Sequence, residues 1–476
     1  MPEPRPHSSS GYQAKPSRRG FWLLAGAAII LLGVSLLPYP VARQFGDTLA
    51  RDGSLDLLTP QRWHTLQFGL AGIALALAAF SLSGLLFPQR VDSTLNGLKV
   101  SLREALLSLP GDARLFVRGF FEGLRRREIW LPAILLFSVG LGIRLFFVNV
   151  PMEHDEAYTF SVFAVLPLKL GLSDYHYPNN HLFHTLLVHL SYRLFGVQPW
   201  TVRLPALLAG ALLAPFGYGL ARRLYSPAVG WLAGLAIALA PVLVSFSVNA
   251  RGYTLLALFT LWNVHLAAHL SRQGSPFRWL LLAVFGALGL YTVPVFVYSL
   301  AMLYFWLFLI WISGKVESNR RFSFPLAVLL CGGLTLLLAG LFYLPVFLNS
   351  GVKAVIANQW VEPVAREWFW PTLQSRLSET WRDWTRFVHP LIIGLFSAGW
   401  LIGLFFHRRL SSLPIPLQAG LLVLPVIVFI QRPNPWARIW LFLVPLMLIW
   451  AAAGLTYLLD LLSRPFKDPL TVRRIL

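Results

Sequence analysis

The chain has 476 residues, 56% of them hydrophobic and only 13% charged, with a mean hydropathy of +0.63. A water-soluble protein of this length needs far more polar surface, so the chain is read as one membrane-embedded body, not a string of soluble domains. The net charge of +20 falls between apolar stretches as the positive-inside rule demands, not on one face, which excludes nucleic acid as an expected partner.

Residues 1–20, with Arg5, Lys15, Arg18 and Arg19 among prolines and serines, read as a disordered cytoplasmic N-terminus. The apolar run Phe21–Leu37 is followed by Pro38-Tyr39-Pro40-Val41, which offers no small-x-small cleavage site, so it is expected to stay as a first helix. Further apolar stretches follow at 65–87, 129–148, 181–196, 203–221, 228–247, 253–270, 279–292, 294–312, 325–347, 390–406, 415–431 and 435–459. A crossing takes about 20 residues. Cys331 lies inside one of these runs, where a lone thiol makes neither an internal disulfide nor a cysteine metal site, and it is read as a small core residue.

Charge sets the expected orientation. The basic loop 88–128, which includes Arg125-Arg126-Arg127, belongs inside, as do Arg272–Arg278, Lys315–Arg321, His407-Arg408-Arg409 and the tail from Arg464. Segments 39–64, 149–180 and 346–389 then fall outside, with the neighbourhoods of Arg251, Thr292 and Asn434. Arg222-Arg223 also wants the inside, which alternation alone denies it. One stretch within 181–221 is therefore expected not to cross, leaving about 12 crossings (11–13) in an all-α polytopic fold. The long outside loop 346–389 holds Trp360, Trp368, Trp370, Trp381 and Trp384. Its Leu373, Leu377, Trp381, Trp384 and Val388 recur at helical spacing opposite Arg376, Glu379, Arg382, Asp383 and Arg386. That pattern predicts a juxtamembrane helix in the outer interface, read either as an aromatic belt or as a wall over a lipid-borne substrate.

Four polar clusters converge outside. The first is Glu153-His154-Asp155-Glu156-Ala157-Tyr158, three acids and a histidine at a helix end in a chain with only 20 acids. A carboxylate at the membrane edge is solvated, paired or used, and an Asp-Glu pair suits general base work. The second is Asp174-Tyr175-His176-Tyr177-Pro178-Asn179-Asn180-His181-Leu182-Phe183-His184, in which His181 and His184 share a helix face. A divalent metal on Asp155 and His181, with His176 and His184 nearby, is left open, but tight ligand spacing is absent. The histidines are read first as donors to a phosphate or a sugar hydroxyl, and no cofactor is called for. The third and fourth clusters, Asn249-Ala250-Arg251-Gly252-Tyr253 and Gln431 to Arg438, place arginines where the charge trend disfavours them. Guanidinium there is a candidate clamp for an anion.

The stretches His154-Asp155-Glu156-Ala157-Tyr158, Pro178-Asn179-Asn180-His181, Tyr192-Arg193-Leu194-Phe195-Gly196, Val202-Arg203-Leu204-Pro205 and Ala250-Arg251-Gly252-Tyr253 resemble, in order and spacing, the C-type membrane glycosyltransferases. The likeness is to the bacterial protein O-mannosyltransferase and aminoarabinose-transferase group and runs from about Ile129 to Ala453. The chain departs from that group where it has Tyr177-Pro178-Asn179-Asn180-His181 in place of a His-Pro-Pro or His-Lys-Pro-Pro sequence. The resemblance implies a glycosyltransferase transmembrane core at 129–460, after an extra helix pair with its basic loop at 21–128 and before a basic cytoplasmic tail at 461–476. It implies that the two long outside loops enclose an active site on the periplasmic side of the inner (plasma) membrane. It implies inverting sugar transfer from a polyprenyl-phosphate donor to a lipid, glycan or protein acceptor, among membrane lipids, with acceptor recognition coming from the loops. Asp155 and Glu156 are the implied catalytic pair. His154, Tyr158, His176, Asn180, His181, His184, Arg251, Tyr253 and Arg438 are the expected substrate contacts. A polymerase or ligase of lipid-linked glycans, or a flippase, is the alternative, although neither internal repeats nor paired broken helices are evident.

Overall fold

The computed structural model describes residues 19–49, 58–356 and 362–467, and the described chain is helical with no strand. Most of the expected disordered N-terminus, Trp360 and the tail beyond 467 lie outside the described residues. Compact packing divides the chain into residues 1–108 and 109–476. The first unit holds α1 (Arg19–Ser35), α2 (Tyr39–Leu49), α3 (Pro60–Leu86) and the start of α4 (Pro88–Arg125). α1 and α2 meet at 108° across Pro38, and Ser81 Oγ on α3 donates to the Phe21 carbonyl on α1 at 2.6 Å. The basic segment read as a loop over 88–128 is instead mostly the 38-residue α4.

The second unit takes the rest of α4, then α5 (Arg127–Phe147), α6 (His154–Thr159) and α7 (Leu168–Gly171). α8 (Leu182–Phe195), α9 (Pro199–Leu224), α10 (Pro227–Leu239), α11 (Pro241–Ser247), α12 (Tyr253–Leu270), α13 (Pro276–Thr292) and α14 (Val297–Ile312) form the middle of the chain. α15 (Ser323–Phe342), α16 (Leu344–Asn349), α17 (Lys353–Ile356), α18 (Arg366–Thr385), α19 (Pro390–Phe405), α20 (His407–Leu410), α21 (Val423–Gln431) and α22 (Leu443–Lys467) complete it. Starts are written in the sequence: Ser226 caps α10 and Ser275 caps α13, each followed by proline in the first turn.

Among the described residues, seven helices are long and apolar enough to cross a membrane, or up to ten if each bent pair is one span, with two shorter apolar helices at Pro276–Thr292 and Leu417–Gln431. The chain is a multi-pass membrane protein. Each bend falls at a proline, which lacks the amide needed to carry the ladder on: 56° at Pro241 and 111° at Pro390 in this unit.

Of the two stretches 181–196 and 203–221, the second lies in a helix long and apolar enough to cross a membrane and the first does not. α8 has 14 residues, about 21 Å of helix. Both its ends stay beside the Asp155 loop, since Asn179 bonds the Asp155 carbonyl and Tyr192 Oη donates to the Val165 carbonyl at 3.0 Å. α9 has 26 residues and is long and apolar enough to cross, with Arg203 near one end and Arg222-Arg223 near the other.

The core lies on α9, α10, α12, α13 and α14, with Trp306 and Trp450 fully buried. Helix pairs close through small residues. A Cβ on Gly403 of α19 would stand 2.6 Å from the Trp450 carbonyl of α22, so Gly399 and Gly403, one turn apart, let the two backbones meet.

α18 ends three residues short of the predicted stripe and presents three faces instead of two. Leu377 and Trp381 are exposed, Phe369 and Thr380 are buried against the protein, and Arg382 and Asp383 take the remaining side. Arg376, expected on the wet face, is tucked over the Trp436 ring at 3.3 Å.

Candidate active site

α6 begins with a reciprocal capping box, in which the Glu153 amide donates to Glu156 Oε1 at 2.8 Å and Glu153 caps in return. That start sends the two central acids in opposite directions. Glu156 is 0% exposed. It pairs with the buried Arg203 of α9, whose Nε donates to Oε2 at 3.0 Å, and Oε2 also accepts the Ala250 amide at 2.8 Å. Arg203 spends its other hydrogens on the carbonyls of Val148 and Val150, both 2.7 Å, and Pro151 at 3.2 Å. Glu156 thus ties α6, α9 and the loop before α12 into one rigid corner. Both its oxygens are engaged within the protein, and it stands next to Asp155 in the chain. Sequence reasoning quoted Arg203 in a motif without giving it this role.

Asp155 points the other way, with 38% of its side chain exposed. Its Oδ2 is paired with Arg251 and lies 3.6 Å from Arg438 Nη1, while His154 Nδ1 is 3.9 Å from Oδ1. Its backbone carbonyl accepts from Asn179 Nδ2 and Thr159 Oγ1, both at 2.9 Å. Arg251 is buried beside His181, whose Nδ1 accepts the Gly252 amide at 2.8 Å. That bond leaves Nε2 as the protonated nitrogen of a neutral ring, so its 3.3 Å approach to Arg251 Nη2 is packing between two donors. The Tyr253 ring lies 5.4 Å from the Arg251 guanidinium carbon. Gly252 is required for this approach, because a Cβ there would stand 2.5 Å from Thr292 Cγ2.

Arg438 comes from the one-turn helix Ala437–Trp440 and lies 5.4 Å from the centre of the Trp436 ring. The ring is shared with Arg376, whose Nε donates to Asn434 Oδ1 at 2.7 Å. The Val364 amide donates to the Arg432 carbonyl at 2.7 Å and Arg432 Nη1 returns a bond to Val364 at 3.1 Å. The long segment 346–389 therefore holds the stretch that carries Arg438. It also holds the first loop, since the Tyr175 amide donates to Ser350 Oγ at 2.9 Å and Ser350 Oγ donates to Ser173 at 3.1 Å.

Other expected contacts divide. Tyr158, one turn beyond Asp155, donates to His176 Nε2 at 3.2 Å, and Asp174 holds His176 Nδ1 at 2.6 Å. His154 stacks beside Tyr158. Of these three, His154 and His176 are exposed and Tyr158 is half-buried. Asn180 is fully buried and spends its amide on the Gly171 and Asp174 carbonyls and its oxygen on Thr185, all at 2.8 Å, so it builds the loop. His184 is fully buried in the first turn of α8 with neither ring nitrogen partnered.

Among the described residues no group of three or more His, Cys, Asp or Glu is placed to hold a metal ion. Between Asp155 and His181 stands the Arg251 guanidinium, a fixed cation where a metal would have to sit, and His181 Nδ1 is already engaged. This donor set does not fit a divalent metal.

Residues 179–346 match the family described as dolichyl-phosphate-mannose-protein mannosyltransferase. The match bears out the classification read from the motifs, and the chain is similar to the polyprenyl-phosphate-dependent membrane glycosyltransferases. No curated protein matches the chain. Among solved structures, ArnT from Cupriavidus metallidurans bound to undecaprenyl phosphate is similar at 16% identity, with a TM-score of 0.49 over 71% of this chain and 63% of that one. The oligosaccharyltransferase AglB from Archaeoglobus fulgidus, in complex with an inhibitory peptide and a dolichol-phosphate, has 13% identity and a TM-score of 0.44 over 70% of this chain and 51% of its own. The chain thus spans less than two thirds of either protein.

Proposed function

We propose that the protein transfers a sugar from a polyprenyl-phosphate donor to an acceptor at the outer face of the membrane, with inversion, and that Asp155 is the general base. The observation that supports this reading is the division of labour on α6, with Glu156 buried and engaged within the protein and Asp155 open between two arginines. The acceptor oxygen attacks the anomeric carbon as the carbon–oxygen bond to the lipid phosphate breaks. The acceptor proton goes to Asp155, and the charge left on the phosphate is held by Arg251 and Arg438, fixed cations aimed at a developing anion. Tyr158, with His176 behind it, lies on the acceptor side of Asp155 and orients the incoming hydroxyl.

The test is release of free polyprenyl phosphate from a defined lipid-linked sugar by purified protein. Asp155→Asn is expected to keep the fold and to cut release by about two to four orders of magnitude, the usual worth of a general base. A variant that turns over near the wild-type rate removes Asp155 from that role. A protein that depletes the donor from one leaflet without releasing polyprenyl phosphate is a flippase.

A further inference from the structure

A second concentration of charge lies at the other end of α9. Twenty residues separate Arg203 from Arg223, about 30 Å of helix, which is roughly the thickness of a hydrocarbon core. There Arg223 Nη1 lies 3.1 Å from His265 Nε2, and its Nη2 lies 2.9 Å from His269 Nδ1. The guanidinium is spent on two imidazoles of α12, and among the described residues it has no carboxylate partner. Arg278 and Arg320 act electrostatically on His269, and Arg272 on Arg223. Arg320 Nη2 donates to the Leu270 carbonyl at 2.8 Å, while its Nη1 is buried without a partner.

The acids within reach are Asp112 and Glu317. Asp112 Oδ2 caps α13, accepting from Ser275 Oγ at 2.6 Å and from the Phe277 amide at 3.0 Å, and the same carboxylate acts on Arg278 and His269, while Glu317 acts on Arg320, so two carboxylates face four arginines. Three guanidinium groups, Arg223, Arg278 and Arg320, therefore act on His269, with Arg272 acting on Arg223, beside the positive end of the 17-residue α13. Like charges gathered this closely repel, and the repulsion falls when an anion is shared between them. The bland alternative is that each arginine reaches separately for the headgroup region. It does not account for Arg223 being held inward by two histidines, nor for a buried, unpartnered Nη1 on Arg320. Phe116 and Phe277 pack edge to face at 5.5 Å, and Arg278 lies 5.3 Å from the Phe116 ring centre. An aromatic floor thus lies next to the cations.

We propose that this cluster is a binding site for the phosphate group of an anionic lipid headgroup, on the membrane face opposite Asp155. Guanidinium forks match phosphate oxygens in pairs, and basic pockets between transmembrane helices are the usual seat of anionic headgroups. The aromatic floor favours a headgroup with its acyl chains over a free anion.

The test uses the full chain in detergent and measures binding by native mass spectrometry and by the shift in thermal unfolding. The probes are short-chain phosphatidylglycerol, short-chain phosphatidylcholine and inorganic phosphate. Wild-type protein is expected to bind phosphatidylglycerol saturably and phosphatidylcholine at least about tenfold more weakly. Arg223→Gln with Arg320→Gln should weaken phosphatidylglycerol binding about tenfold or more, as losing a charge-assisted bond does. Arg408→Gln with Arg409→Gln, basic but outside the cluster, should leave it unchanged. If the double variant misfolds, Arg278→Gln carries the same expectation. Competition by inorganic phosphate at millimolar concentration identifies a site that takes the free anion as well, and its absence identifies a headgroup site. Equal binding by the cluster variant and wild type, or equal loss in both double variants, overturns the proposal.

Discussion

Glu156→Gln removes one negative charge from a place that water does not reach and leaves the buried Arg203 cation with only carbonyl partners. Breaking a buried ion pair costs about 3–5 kcal/mol, because the remaining charge has no solvent to return to. Arg203 keeps its bonds to Val148, Val150 and Pro151, so the expected loss lies near the lower end, about 3 kcal/mol. The glutamine still offers an oxygen to the Ala250 amide, so what is lost is the charge and not the whole corner. The assay is thermal unfolding of detergent-solubilised protein alongside sugar transfer. Glu156→Gln should lower both stability and turnover, whereas Asp155→Asn should lower turnover alone. A cycle of Glu156→Leu, Arg203→Leu and the double variant sharpens the test. The double variant should be more stable than either single one, since it leaves no unpaired charge. Wild-type stability in Glu156→Gln, or strict additivity in the cycle, would refute a positioning role for Glu156.

Arg251→Lys should raise the Michaelis constant for the lipid donor, and Arg251→Ala should cost about 1.5–3 kcal/mol of donor binding, the worth of one charge-assisted bond. A lysine variant with unchanged donor dependence would reduce Arg251 to a headgroup contact. Gly252→Ala should impair activity by pushing Thr292 or His181 away from the 2.5 Å and 3.3 Å contacts a new methyl would make, and wild-type transfer kinetics would show that the corner gives freely. Spin probes at 377 and 381 of α18 should report lipid while probes at 382 and 383 report water. Equal exposure at all four would rule out an interfacial helix.

The polytopic helical fold was legible because lipid-facing helices must be apolar over their whole length, and the prolines that bend them are visible in sequence. The difference between α8 and α9, 14 residues against 26, showed in the sequence only as a conflict of charge, since the apolar stretches 181–196 and 203–221 are of similar length. Asp155 and Arg251, which the structure pairs, stood out because acids gathered at a membrane edge and an arginine against the charge trend are costly unless paired or used. Glu156 and Asn180 were read alongside their neighbours as site residues, and the structure adds that both are buried with their polar atoms engaged within the protein. Burial separates Glu156 from Asp155, and neighbours in sequence share every local signal. Arg376 went to the wet face in the helical pattern because its partner Trp436 lies 60 positions away. The cluster around His269 was read only as orientation, because each of its arginines is ordinary alone and the convergence comes from tertiary packing.

Asp155 and the lipid phosphate compete for the same cation. Without donor, Arg251 pairs with Asp155, so a phosphate that takes Arg251 must first break that pair and then sits beside a carboxylate of like charge. Arg251 is buried, but 38% of the Asp155 side chain is exposed, and screening at the carboxylate holds the pair's worth to about 1 kcal/mol. Asp155→Asn removes both the competing partner and the repulsion. The variant that stops turnover should therefore bind polyprenyl phosphate more tightly than wild type, by up to about fivefold. Equilibrium binding of the lipid phosphate to the purified variants measures this directly. Weaker binding in Asp155→Asn would mean that the carboxylate helps to hold the phosphate, and the arginine would then not be shared between base and leaving group.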